Sequence, residues 1–125
     1  MPKRTNKKKP PAETLVELVL QVLNDLKAEA IVRLDVRHLT SVTDAMIIAN
    51  GRSSRHVRAV AEAVVQKCKD NGHRPLGIEG AVGAEWVLVD LADVVVHVML
   101  PKVRGFYELE KLWDIDSFKD AEESS

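Results

Sequence analysis

The chain holds a single cysteine in 125 residues, Cys68, so it can form no internal disulfide and offers no cysteine pair to a zinc ion. Aromatic residues make up only 4% of it, too few for a platform on which successive bases stack. No uninterrupted apolar run approaches the roughly 20 residues of a membrane-spanning helix. Glycine-rich phosphate loops are missing as well. Gly51 lacks the Lys and the second Gly of such a loop, and Gly77, Gly80 and Gly83 open no helical pattern. Residues 77–100 contain no Lys or Arg at all, although Glu79, Glu85, Asp90 and Asp93 fall there. Disulfide scaffolds, zinc ribbons, aromatic nucleic-acid platforms and membrane spans are thereby excluded.

What is present is 46% apolar and 30% charged, the composition of a folded domain that buries about two-thirds of its unfolded surface. The net charge is −1, but the first eleven residues, MPKRTNKKKPP, carry +5, which leaves −6 on the remainder. Residues 1–11 read as a flexible basic arm, 12–113 as the domain, and 114–125, with five acids and one Lys, as an acidic disordered tail. The lone cysteine and the lack of a signal peptide point to a cytoplasmic protein. An acidic body with a cation-free stretch suits a basic partner better than nucleic acid at that surface.

Hydrophobic periodicity predicts a helix over 12–29, led by Pro11, with Leu15, Leu18, Val19, Val22, Leu23 and Leu26 on one face. Val16 and Leu20 widen that face, so the excess either packs on a second element or marks a self-association surface. Residues 31–36 alternate apolar side chains with Arg33 and Asp35, a strand with one wet face. Residues 44–51 are continuously apolar after Asp44, as expected of a central strand. Ser53 or Ser54 caps a second helix, with Val57, Val60, Ala61, Val64 and Cys68 inward and a stop at Asn71-Gly72. A short strand over 75–80 precedes a hairpin of 86–91 and 93–100, and Pro101 opens a last helix to about Trp113. The order α-β-β-α-β-β-β-α predicts an α/β fold, a mixed five-stranded sheet with helices packed on it.

The four histidines, His38, His56, His73 and His97, show no metal-pair spacing. His97 shares a strand face with Val95 and Met99, where it is either a satisfied sheet residue or a catalytic base. Asp90 and Asp93 flank a turn, where aspartate is common, and fit an exposed acidic contact better than a magnesium site. The segment NGRSSRHVR brings Arg52, Arg55 and Arg58 to a helix start, either a solvated basic end or an RNA contact. Trp86 either closes the core or anchors a partner.

Four ordered blocks then carry a family resemblance: SVTDAMIIANGRSSRHV at 41–57, PLGIEG at 75–80, WVLVDLADVVVH at 86–97 and FYELEKLW at 106–113. Over residues 14–113 the chain resembles the ribosomal silencing factor, or Iojap, family. The resemblance implies a nucleotidyltransferase-like α/β sandwich that binds the fourteenth protein of the large ribosomal subunit. There it blocks joining of the small subunit and lowers translation when nutrients are scarce. It also implies a partner surface of Trp86, Asp90, Asp93 and Glu79, with Leu91 and Tyr107 at or near the contact. Homodimers off the ribosome, a peripheral ribosomal RNA contact through Arg52, Arg55 and Arg58, and no membrane, metal or cofactor complete the expectation. The family carries Gly where Ala92 stands, so a turn of positive φ there would strain Ala92. The rivals are an RNA-binding or large-subunit assembly factor and a nucleotidyltransferase enzyme. The enzyme lacks support because no Asp-x-Asp pair follows Gly51-Arg52-Ser53-Ser54 at the expected distance.

Overall fold

The computed structural model describes residues 11–107. Helix α1 spans Pro11–Asp25, with Leu15, Val16, Val19, Val22 and Leu23 buried. It stops four residues short of the expected end. Lys27 takes φ +62°, its amide donates to the Asn24 carbonyl (3.1 Å), and the Ala28 amide donates to that of Leu23 (2.9 Å). Those two bonds close the helix in the manner usually served by a glycine just past its end, and without one the stop leaves no sequence signal. Val16 is 1% exposed and Leu20 packs partly on the same core, so the widened apolar face is used within the chain.

Strand β1 (Glu29–Asp35) pairs antiparallel with β2 (Ala45–Asn50), which runs parallel to β5 (Val94–Met99). The hairpin brings β4 (Trp86–Asp90) antiparallel to β5, and β3 (Gly77–Glu79) pairs with the far side of β4. The sheet order is β1-β2-β5-β4-β3, so the structure is α/β with a mixed five-stranded sheet. The centre belongs to β5 rather than to β2, which explains why Val94–Met99 is apolar on both faces. Helix α2 (Ser54–Asp70) begins where the Ser53 hydroxyl accepts the His56 amide (3.1 Å), and it ends at Asn71 and Gly72, the latter at φ +86°. All five inward positions expected for it are buried.

Strand alternation divides the sheet into two unlike faces. Ala45, Ile47 and Ala49 of β2, Val87 and Val89 of β4, and Val94, Val96 and Val98 of β5 meet α1 and α2 in the main core. Met46, Ile48 and Met99 point the other way, into a smaller cluster with Val36 that Leu34, Trp86 and Val103 border. The polar side of β1 lies on the helix side, contrary to a simple dry-core expectation. Arg33 stands across from Ile47 and forms a two-pronged bond with Glu13 of α1 (2.8 and 3.0 Å), whereas Leu34 stands across from Met46 on the opposite face. Helix α3 (Pro101–Tyr107) is fastened by buried Arg104, whose guanidinium donates to the Ala30 carbonyl and to Asn50 Oδ1. The expected continuation of α3 to Trp113, the basic arm up to residue 10 and the acidic tail lie outside the described residues.

Candidate docking face

Trp86, Leu88 and Asp90 alternate with the buried Val87 and Val89, so all three side chains occupy the face of the sheet away from α1 and α2. Register fixes their neighbours. Leu88 lies between Glu79 of β3 and His97 of β5, Asp90 lies between Gly77 and Val95, and Trp86 stands across from Met99. Glu79, Trp86 and Asp90 therefore share one surface, together with half-buried Leu88 and Val95, which sequence reasoning passed over. The signal for Leu88 was available in the period-two pattern from Trp86 to Asp90.

Trp86 closes the core only in part. Its ring borders the smaller cluster and remains partly exposed, and its Nε1–H donates to His97 Nδ1 at 2.9 Å. The two rings lie 5.9 Å apart between centroids at a 45° tilt. Because Nδ1 accepts, the neutral imidazole carries its proton on Nε2. His97 is only 5% exposed, and burial pushes its pKa down to about 4. It is a satisfied sheet histidine that orients the indole.

At the hairpin tip the Asp90 carboxylate accepts the Ala92 amide (2.9 Å), and the Asp93 amide returns to the Leu91 carbonyl (2.9 Å). Ala92 sits at φ +72°, so the anticipated strain is present, in a tight reversal around one residue. Asp93 is exposed at the end of the sheet, where its carbonyl accepts the amides of Asp44 and Ala45. Gly80, at φ +87°, lets the chain pass over β4, since a Cβ there would lie 2.0 Å from the Trp86 carbonyl oxygen.

Three expectations need correction or limits. Leu91 is 5% exposed and belongs to the helix-side core, so it is a packing residue and not part of the face. The stretch without cations in sequence does not stay so in space, because Lys102 of α3 approaches Glu85 at 3.6 Å. Tyr107 ends α3, but its side chain lies outside the described residues. Arg52, Arg55 and Arg58 are exposed around the start of α2, in the layer opposite the acidic face. Arg58 is engaged locally, donating to the carbonyls of Val82 (3.0 Å) and Ala81 (3.4 Å). Cys68 is fully buried, and desolvation raises its thiol pKa to about 11, the state of an inert core residue. Among the described residues no three His, Cys, Asp or Glu side chains gather as metal ligands.

Fold and face together define a class: a two-layer α/β domain with both long helices on one side of a mixed sheet and a part-exposed, acid-flanked tryptophan on the other. The family described as "Ribosomal silencing factor during starvation" matches residues 9–125, and the chain belongs to that family. It is 46% identical over 101 residues to the ribosomal silencing factor RsfS of Chromobacterium violaceum, covering 81% of this chain and 83% of that protein. It is likewise 46% identical over 99 residues to RsfS of Haemophilus influenzae, covering 79% and 97%. A crystal structure of a Chromobacterium violaceum protein matches with a TM-score of 0.81 at 45% identity, covering 83% of this chain and 87% of that one.

Proposed function

We propose that this protein represses translation by binding the large ribosomal subunit through its fourteenth protein and thereby keeping the small subunit from joining. The observation that carries this reading is the placing of Trp86, Glu79 and Asp90 on one sheet face, where β3, β4 and β5 carry no Lys or Arg. Ribosomal proteins are basic as a rule. Carboxylates on the face would steer and orient such a partner, while the exposed part of the indole and Leu88 would supply the desolvated centre of the contact. Repression then needs only occupancy, since a bound domain excludes a second body from the same surface. The relatives' names favour a ribosomal target.

Sedimentation of mixed ribosomal subunits with the full chain and its variants tests this. Glu79 is exposed and its side chain has no hydrogen bond or ion pair among the described residues, so Glu79→Lys reverses charge without disturbing the fold. It is expected to weaken binding to large subunits by about tenfold or more, and Trp86→Ala to weaken it further. Removal of residues 1–10 is expected to leave binding nearly unchanged. If both substituted proteins still prevented subunit joining at the normal concentration, the face would be wrong. If instead Arg52→Glu with Arg55→Glu abolished binding, the RNA-contact rival would replace it.

A further inference from the structure

Four large apolar side chains stand exposed among the described residues, and three of them, Leu76 (73%), Ile78 (44%) and Val82 (95%), lie on or beside β3. This strand pairs with β4 on one side only, and its outer edge meets no strand among the described residues. On the helix side a cavity of about 620 Å³ opens between α2 and β3, lined by Ala63, Val65, Ile78 and Val87. A second hollow of about 270 Å³, also bounded by Ile78, lies toward Lys69 and Arg74. A bare edge beside an apolar groove is a template for another strand unless charge or proline guards it. Here the only proline nearby, Pro75, precedes the strand.

Charge along this groove is uneven. Lys69 and Arg74 border the hollow at the start of β3 and have no ion-pair partner among the described residues. At the other end Glu62 and Arg58 line the larger cavity together, so charges of both signs stand there. Glu79 ends the strand on the opposite face, across from Leu88, and takes no part in the groove. Unmatched cations at one end of an apolar slot select a carboxylate in whatever fills it.

We propose that the outer edge of β3 and the groove beneath it bind an extended segment of a partner protein by strand addition. The added strand would place alternate apolar side chains into the groove beside Ile78, with a carboxylate on that same face at the Lys69 and Arg74 end. A second copy of this chain fits less well. Running the stretch from Arg74 to Glu79 against itself would oppose those two charges, but it would set Pro75, which has no amide hydrogen, across from Ile78 and cost a ladder bond. The groove opens on the helix side of the sheet, so the inference stands independently of the ribosomal reading.

The test is amide chemical-shift mapping on the isotope-labelled full chain with capped synthetic peptides. One carries Glu-Thr-Val-Thr-Val, a second has lysine for the glutamate, and a third has serine for both valines. The glutamate peptide is expected to give saturable shifts confined to residues 58–82 at millimolar concentration, and the lysine peptide to bind about tenfold more weakly. Ile78→Asp should remove the shifts while leaving the thermal midpoint in place. Lys69→Glu combined with Arg74→Glu should reverse the preference between the glutamate and lysine peptides. Equal binding of the serine peptide, equal binding of the lysine peptide, no saturable shift with the glutamate peptide, or concentration-dependent self-association through the same amides would each overturn the proposal.

Discussion

Acidification from pH 7 to 4.5 should cost this protein stability chiefly through His97. The imidazole is neutral in the fold because burial on the central strand pushes its pKa from 6.5 to about 4. In the unfolded chain it binds a proton near its ordinary value. Between those limits the unfolded state holds more protons than the native one, so stability falls as pH falls, by about 1.4 kcal/mol per unit. Above the ordinary value the contribution is intact, and below the native value the loss levels off at about 3 kcal/mol. At pH 4.5 it amounts to about 2.5 kcal/mol, a large share of the roughly 5–15 kcal/mol that holds an ordinary domain. Asp35, held at about 2 by Arg37, titrates below this window and is exposed, so it does not compete. His97→Gln keeps an acceptor for the Trp86 indole but removes the titration. Urea unfolding at half-unit pH steps should therefore show a slope in the natural protein that flattens in His97→Gln. Parallel curves for the two proteins would refute the argument that His97 is buried, neutral and bonded through Nδ1.

Ala92→Gly should raise the thermal midpoint, because relief of the positive φ outweighs the added freedom of the unfolded chain by about 0.5 kcal/mol; a lower midpoint would show that Ala92 is unstrained. Gly80→Ala should destabilise by about 2–4 kcal/mol in denaturant titration, since its Cβ would meet the Trp86 carbonyl, and an unchanged midpoint would contradict that close approach. The Cys68 thiol should resist a thiol reagent in the native protein and react at once in denaturant; rapid native labelling would show that the inner face of α2 opens readily.

The resemblance pointed to the family from sequence alone, and the match over residues 9–125 agrees with it. Whether Glu79 and Trp86 form a contact with a ribosomal protein belongs to the sedimentation experiment. Their common face is a matter of register, and register is invisible until strands are paired. Glu79 could be placed beside Leu88 only once β3 was seen to run antiparallel to β4. Leu91 shows the opposite failure. Its position next to Asp90 suggested the surface, but the turn directs it into the helix-side core.

Local chemistry determined the elements. Periodicity of 3.6 marked the inner face of α2, the serine before it and the Asn-Gly after it marked its ends, and unbroken apolar character marked β2 and β5 as interior strands. Each of those signals lies within a few residues of the feature it controls. Tertiary structure alone decided that Lys27 would close α1 at positive φ, that Arg33 would turn toward Glu13 and the helices, and that Trp86 would lean on His97 eleven residues away. Those outcomes depend on which surfaces meet, and a buried donor or an ion pair finds its partner only after the strands between them have taken their places.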